Sequence, residues 1–352
     1  MISKECFTSE WISKKSAELK YNDKNLIEKV IRAFALLEML SASGCPFCFK
    51  GGTSLMLVLG GGLHRLSIDV DILCPFGTNI EDYLHNYAQS GFIDYRLVER
   101  RPSITNIPKS HSKFYYQVSF KGQTDETSYI LLDVVYGDNH YQKTNMVDII
   151  NSLIKVEGNP LTVIVPSVDD LLADKLTAFA PETTGIPYTK NGKSTTLEII
   201  KQLYDVGRLF DQMNDIRATS RTFKAIVDEE LRYRNLTCDM SSVINDIRNT
   251  ALNISTRGFV DKDKFALLQK GIINIKPYIY KSAYRIEEAI TDSAKVAYLC
   301  TAIEKDVSTI ERFDTKQVSA DLTIDSVFTN KLNKLRIALP EAYYYWALAS
   351  RL

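Results

Sequence analysis

The chain has 352 residues, of which 45% are hydrophobic, and its 43 Lys and Arg residues balance 43 Asp and Glu residues. This composition is ordinary for a folded globular protein, and it excludes both a histone-like basic protein and an acidic disordered chain. The length fits two domains. No apolar run approaches the roughly 18 residues of a membrane helix, and the first residues lack the apolar core of a signal peptide. We therefore expect a cytoplasmic protein with no membrane segment, whose six cysteines are reduced.

Hydrophobic spacing predicts two helices and two strands in the first part of the chain. Apolar residues recur at helical intervals over residues 24–42, and a short apolar run at 45–49 indicates a buried strand. A Gly-Gly-Thr turn then leads into a short helix at 53–59, and residues 66–74 have the character of a strand. The segments that follow are a helix at 79–90 and strands at 92–100, 113–122, 127–137 and 161–167.

The rest of the chain is predominantly helical. A stretch rich in Pro, Gly, Thr and Lys at 181–195 predicts an exposed loop or domain boundary, and nearly every later segment has helical spacing. The sequence therefore predicts an α+β protein. A mixed sheet flanked by helices, residues 1–195, is followed by an α-helical C-terminal domain, residues 196–352.

Two aspartates and a glycine turn form the most informative pattern. Asp69 and Asp71 are two residues apart on a predicted strand, so their side chains are expected on the same face. Two adjacent carboxylates repel each other, and a cation such as Mg²⁺ removes that penalty while also taking phosphate oxygens from a substrate. Upstream, Gly51-Gly52-Thr53 joins a strand to a helix, where glycines allow close backbone approach and the helix N-terminus attracts an anion. The pattern predicts a phosphate cradle beside a metal-binding carboxylate pair.

A third carboxylate, Asp133, lies in the middle of an apolar strand. A buried acid is costly unless it is paired or binds a metal. An adjacent strand would aim Asp133 at the pocket of Asp69 and Asp71, which would complete a two-metal arrangement for phosphoryl or nucleotidyl transfer. Each part alone has a simpler explanation, because most Asp-x-Asp pairs are solvated and Gly-Gly-Thr is an ordinary turn. The ordered set is far more specific for a nucleotidyltransferase site.

These residues resemble the signature of the DNA polymerase β-type nucleotidyltransferase superfamily. Three segments resemble the AbiEii/AbiGii toxin family more closely, within a region of roughly residues 25–215: KGGTSL…HRLSIDVDIL, PSVDDLLADKLTAFAPETTGIPY and KQLYDVGRLF. The resemblance implies a nucleotidyltransferase-type sheet. It also implies the toxin component of an abortive-infection or toxin–antitoxin system, with a role in phage defence.

The resemblance further implies roles for individual residues. Asp69 and Asp71 would bind Mg²⁺. Asp133 matches the superfamily's third carboxylate, and it would either bind the metal directly or contact a residue that does. Lys175 would contact the phosphates of the nucleotide, and Asp205 matches an acidic residue that the family needs for activity. The other positions with an implied role in nucleotide binding are Gly51, Gly52, Thr53, Arg65 and Ser67.

Without the resemblance, the sequence allows simpler interpretations of Lys175 and Asp205. Lys175 would be a solvated lysine on the surface of its helix. Asp205 would pair with Arg208 or Lys201, as neighbours on one helix often do.

Three other patterns carry weaker signals. The C-x-x-C at 45–48 lies in an apolar run, which favours buried core thiols over a redox or zinc site. Lysines and tyrosines are interleaved over 270–285, a composition that suits RNA but equally suits a helix that packs its tyrosines. Arg96, Arg100 and Arg101 form a further basic cluster.

The sequence and the resemblance together predict a Mg²⁺-dependent enzyme that transfers a nucleoside monophosphate from an NTP to an acceptor and releases pyrophosphate. RNA, in particular the 3′ end of tRNA, is the acceptor that the resemblance implies, and a cognate antitoxin is the implied partner. Transfer to a protein or small-molecule hydroxyl is the alternative within the superfamily. The alternative of another class is a nucleotide-binding or partner-binding module that has lost catalysis.

Overall fold

The protein, seen in a computed structural model, divides into two compact units. The structure describes residues 1–62, 64–98, 107–120, 126–314, 322–324 and 329–352. The first unit comprises Met1–Ser167 and Pro277–Ser282, and the second comprises Val168–Lys276 and Ala283–Leu352. The division therefore follows Ser167 rather than residue 195, because the helix that begins at Val168 packs against the later helices.

Within the described residues, seven strands form one mixed sheet in the first unit and two form a small hairpin in the second. The strands of the sheet are β1 Cys48–Lys50, β2 Val70–Cys74, β3 Asp94–Leu97, β4 Lys109–Gln117, β5 Thr127–Tyr136, β6 Thr144–Asp148 and β7 Thr162–Pro166. The hairpin consists of β8 Thr189–Lys190 and β9 Lys193–Ser194, inside the stretch that the sequence predicts as a loop.

Among the residues that the structure describes, three α-helices belong to the first unit, and the other α-helices make the second unit almost wholly helical. The first three are α1 Ser9–Leu19, α2 Lys24–Ala42 and α3 Gly51–Val58. The later helices are α4 Val168–Ala178, α5 Thr196–Gln212, α6 Ile216–Tyr233, α7 Met240–Ser255, α8 Lys262–Asn274, α9 Ile286–Glu304, α10 Thr329–Leu332, α11 Leu335–Ala338 and α12 Pro340–Arg351. The predicted α+β class, a mixed sheet with flanking helices followed by a helical region, is confirmed.

The sheet has the strand order β3-β4-β5-β2-β1-β7-β6 and one well-packed face. Side chains alternate along β2, where Val70, Ile72 and Cys74 are buried while Asp71 and Leu73 are only partly covered. Helix α2 contacts both β2 and β5, and most of its residues are buried. The apolar face of the sheet is thus in the core, and the opposite face is left for polar side chains.

Several sequence predictions in this unit differ from the structure in their bounds, and two of the differences affect how the site is described. Residues 79–90 form a single 3₁₀ turn, Ile80–Tyr83, followed by further turns, because Ile80 and Leu84 are the only buried side chains in this stretch and cannot anchor a longer helix. Strand β2 begins at Val70 rather than at residue 66, so Asp69 lies just before the strand. Strand β6 is not anticipated by the sequence analysis.

The C-x-x-C motif is buried, as the sequence predicts. Cys45 and Cys48 are 9% and 6% exposed, and Cys74 on β2 is fully buried. The hydrogen bond that the Cys74 thiol donates to Cys45, together with burial, raises the pKa of Cys74 well above its usual range. These thiols are therefore part of the core.

Candidate active site

Four ionisable side chains occupy one row across the sheet. Strand pairing places Lys50 of β1 opposite Asp71 of β2, and Asp71 beside Asp133 of β5. His111 of β4 lies opposite Asp133 on its other side. Directly paired residues project from the same face of a sheet. The row Lys50–Asp71–Asp133–His111 therefore lies on the face opposite the apolar core.

Asp71 packs directly against the backbone where helix α3 begins. A Cβ atom placed on Gly51 would collide with the carboxylate of Asp71, with Oδ2 as the nearest atom. Gly51 also has φ +76°, a left-handed conformation that side chains disfavour. Both features require glycine at this position. The Asp71 carboxylate and the Gly-Gly turn, separate in sequence, therefore meet in space.

Gly52 provides the second contact of this turn. A Cβ atom on Gly52 would lie 2.6 Å from Nη2 of Arg65 and 2.6 Å from Oγ of Ser67. Both side chains therefore reach the start of α3, where the sequence analysis places the phosphates of a nucleotide. The cap residue Lys50 has no acceptor oxygen in its side chain, so it cannot cap the first N–H groups of α3, and a helix N-terminus favours an anion.

Thr53 and Asp69 connect α3 to the segment before β2. The Thr53 hydroxyl is buried and donates a hydrogen bond of 2.5 Å to the carbonyl oxygen of Asp69. This bond fixes the backbone of Asp69 next to the first turn of α3. The structure therefore gives the Thr53 side chain a positioning contact within the protein.

A segment from late in the chain pairs with residues 64–66, which include Arg65, whose guanidinium lies beside Gly52. Arg65 is only 3% exposed, and it forms a β-bridge with Ile279. The amide of Leu66 donates to the carbonyl of Tyr278 at 2.8 Å, and the amide of Tyr280 donates to the carbonyl of His64 at 2.9 Å. Residues 270–285 are therefore not one helix, since α8 ends at Asn274 and the chain then pairs with 64–66. The sequence offered no signal for this pairing.

His111 belongs to the row of ionisable side chains, and sequence reasoning missed it. Its Nδ1 is hydrogen-bonded to Oδ1 of Asp133, and the two side chains are 30% and 29% exposed. A carboxylate can only accept, so Nδ1 carries the hydrogen. The alternation of the segment KSHSKFYYQ was an available signal, because it places His111 on the polar face of a strand paired with that of Asp133.

Lys175 and Asp205 meet in the second unit. The ammonium nitrogen of Lys175 on α4 lies 3.3 Å from Oδ2 of Asp205 on α5, and the side chains are 7% and 0% exposed. The interpretation of Lys175 as a solvated surface lysine is wrong. Lys175 is buried, while Arg208 pairs with Asp292 on α9 and Lys201 pairs with Glu198.

The carboxylates on the sheet suit a metal that binds together with a nucleotide. In the part of the chain that the structure describes, no three His, Cys, Asp or Glu side chains are placed to hold a metal ion. Mg²⁺ commonly takes one or two protein carboxylates and completes its octahedron with water and substrate phosphates. Asp71 fits this mode as one such carboxylate, since its carboxylate lies against the backbone of Gly51 at the start of α3.

A family model described as nucleotidyl transferase AbiEii toxin, type IV toxin–antitoxin system, matches residues 35–291. The chain belongs to the AbiEii toxin family. It is therefore a nucleotidyltransferase, and the match includes every residue of the row described above as well as Lys175 and Asp205. No curated protein matches the sequence.

Two solved structures are similar to this AbiEii-family protein. JHP933 from Helicobacter pylori has 14% sequence identity and a TM-score of 0.41, over 82% of this chain and 94% of that chain. MenT4, a nucleotidyltransferase toxin from Mycobacterium tuberculosis, has 13% identity and a TM-score of 0.49, over 92% of this chain and 94% of that chain. The family assignment rests on the sequence match.

Gly51→Ala should abolish nucleotidyl transfer, because the added methyl group would displace the Asp71 carboxylate. Gly44→Ala is a matched control, since Gly44 has a similar φ of +73° but open space where its Cβ would be. Both variants should lose about 1 kcal/mol of unfolding free energy from the left-handed backbone, measured by urea denaturation. Only Gly51→Ala should lose transfer, by at least about a hundredfold. Equal activity in the two variants would contradict this geometry.

His111→Leu should slow transfer by roughly 10- to 100-fold, because Asp133 would lose the bond that orients it. His111→Asn should recover most of the rate, since its amide N–H can occupy the position of Nδ1. The measurement is kcat and KM for the NTP in each variant, with kcat expected to fall and KM to stay nearly constant. A leucine variant as fast as the asparagine variant would show that the hydrogen bond has no role in transfer.

Proposed function

We propose that this AbiEii-family enzyme transfers a nucleoside monophosphate from an NTP to an RNA hydroxyl, with Mg²⁺ as its cofactor. The observation that supports this proposal best is the packing of the Asp71 carboxylate against Gly51 at the start of α3. It puts a carboxylate and an anion-attracting helix end at one point on the polar face of the sheet. A nucleotide with its metal requires this combination.

The phosphate side of the proposed site is formed by the glycine turn and by Arg65. Backbone N–H groups at the start of α3 would bind the β- and γ-phosphates, with the Arg65 guanidinium beside Gly52 as the fixed positive charge. The Ser67 hydroxyl would donate to a phosphate oxygen. Arg65 is already held by its neighbours, so little ordering is needed when the nucleotide binds.

Asp69 and Asp71 would hold Mg²⁺, which supplies charge neutralisation at the α-phosphate when it is bound. The acceptor oxygen forms a bond to the α-phosphorus as the bond from that phosphorus to the bridging oxygen breaks. Pyrophosphate leaves, and the proton of the acceptor hydroxyl goes to a neighbouring base. Asp133, next to Asp71 and oriented by His111, is our candidate to accept this proton.

For the second unit we propose that Lys175 contacts the phosphates of the nucleotide and that Asp205 holds Lys175 in place. The family resemblance suggests the first role. The buried ion pair supports the second, because a buried lysine needs a counter-charge to remain in position.

The RNA acceptor is suggested by the resemblance, and the 3′ end of tRNA is the specific candidate. The type IV toxin–antitoxin description of the family implies a cognate antitoxin and an NTP substrate. Transfer to a protein or to a small-molecule hydroxyl is the alternative for the same site chemistry. No helix in the described parts of the chain has the length and apolar character needed to cross a membrane.

Asp69→Asn and Asp71→Asn should each abolish transfer while leaving the fold intact, because the amide keeps the size of the side chain but lacks the negative charge that holds the cation. The assay incubates each protein with α-³²P-labelled NTPs, Mg²⁺ and total RNA or cell extract, and then separates the label by RNA, protein and small-molecule fractions. Asp148→Asn on the exposed edge strand β6 is the matched control and should retain full activity.

The fraction that carries the label decides the acceptor. Label in RNA supports the proposed function, and label in protein or small molecules replaces the RNA acceptor by the alternative. Full transfer by both Asp69→Asn and Asp71→Asn would overturn the assignment of the site itself. Circular dichroism and thermal melting of each variant separate loss of charge from loss of fold.

A further inference from the structure

The sheet face that carries the row of ionisable residues continues as a basic and aromatic surface. On β4 the side chains of Ser112, Phe114 and Tyr116 are buried, whereas those between them project from the opposite face. The exposed side of β3, β4 and β5 thus forms a surface that we call the basic face. Its members are Arg96, Lys109, Lys113, Tyr115 and Tyr129.

Strand register holds four of these side chains, all except Lys109, next to one another. Arg96 of β3 pairs with Lys113 of β4, and Tyr115 of β4 pairs with Tyr129 of β5. The ammonium nitrogen of Lys113 lies 4.1 Å from the centroid of the Tyr129 ring, and the guanidinium of Arg96 lies 5.2 Å from that of Tyr115. The two tyrosine rings are 5.9 Å apart. Cations and aromatic rings therefore form a continuous layer.

The basic face keeps a positive charge. The nearest acid on β3 is Asp94, which pairs with Arg96 at 3.0 Å, and both side chains are largely exposed to water. Such exposed pairs are weak and exchange readily with other anions. Arg100 and Arg101 of the basic cluster seen in the sequence lie outside the described residues.

The basic face and the glycine turn lie on opposite sides of Asp71 and Asp133 across the sheet. Going across the sheet, the turn follows β1, Asp71 is on β2, Asp133 is on β5 and His111 is on β4. Attacking and leaving oxygens are roughly in line in phosphoryl transfer. If pyrophosphate leaves from the turn beside Gly51, the acceptor hydroxyl arrives from the side of Asp133, where the basic face begins.

We propose that the basic face binds a single-stranded segment of the acceptor RNA and leads its reacting end to Asp133 and Asp71. Lysine and arginine would bind the backbone phosphates, and Tyr115 and Tyr129 would stack against bases. Sheet surfaces with exposed aromatic side chains are a common platform for unpaired RNA. This inference rests on the proposed function, since it assumes an RNA acceptor.

The test compares the full-length double variant Arg96→Gln/Lys113→Gln, and separately Tyr129→Ala, with the wild type. Lys190→Gln/Lys193→Gln is the charge-matched control, because both lysines are exposed on the hairpin of the second unit. A fluorescent single-stranded RNA of mixed sequence is titrated with each protein, and fluorescence anisotropy gives Kd at several salt concentrations.

The two face variants should each bind this RNA about tenfold more weakly than the wild type, and the control should stay within twofold. Loss of two phosphate contacts should also reduce the slope of log K against log salt by roughly 1.4 in the Arg96/Lys113 variant, while Tyr129→Ala should leave the slope unchanged. The binding constant for an NTP should not change. In the transfer assay, KM for the RNA should rise while kcat at saturating RNA stays near the wild-type value.

Failure of this inference is distinguishable from failure of the proposed function. If the wild type labels RNA and the face variants bind and use RNA as well as the wild type, the RNA binds elsewhere and the proposed function stands. If the control loses as much binding as the face variants, the effect is one of net charge and the inference is wrong. A wild type that labels protein or small molecules, and does not bind the RNA, overturns both.

Discussion

The contact between the Asp71 carboxylate and the backbone of Gly51 is the constraint on which the rest of the site depends. It exists because β1 and β2 are antiparallel neighbours and because Gly51 has no side chain in a left-handed turn. Any larger residue would move either the carboxylate or the start of α3. The same turn presents Gly52 to Arg65 and Ser67, so the groups proposed to bind metal and phosphate are positioned by one short piece of backbone.

Much of the first unit could be predicted from the sequence, because local sequence patterns encode its turn and strands. The Gly-Gly-Thr turn and the spacing of Asp69 and Asp71 are local, and an isolated acid within an apolar strand marks Asp133. The expectation of Asp133 on a strand adjacent to Asp71 is confirmed by their pairing in register. The sequence placed Asp69 within the strand, whereas β2 begins one residue later, because boundaries of strands depend on pairing partners.

Other features depend on long-range contacts that no single-sequence pattern encodes. The partnership of His111 and Asp133 needs the register of a strand pair, and the bridge between Arg65 and Ile279 joins residues more than 200 positions apart. Lys175 has the sequence context of a surface lysine, and only the packing of α4 against α5 shows that it is buried with Asp205. The boundary between the two units also depends on long-range contacts, because it follows from the helices that α4 packs against.

The central claim is that one pocket on the polar face of the sheet binds a divalent ion between Asp69 and Asp71 and the triphosphate at Gly51 and Gly52. A crystal structure with Mn²⁺ and a non-hydrolysable NTP analogue tests it most directly, because Mn²⁺ is located by its anomalous scattering. The claim predicts a manganese peak in contact with both carboxylates, at about the 2.0–2.2 Å expected of a hard cation, with phosphate oxygens at the start of α3. A well-ordered nucleotide and metal bound elsewhere, touching neither aspartate, would contradict it.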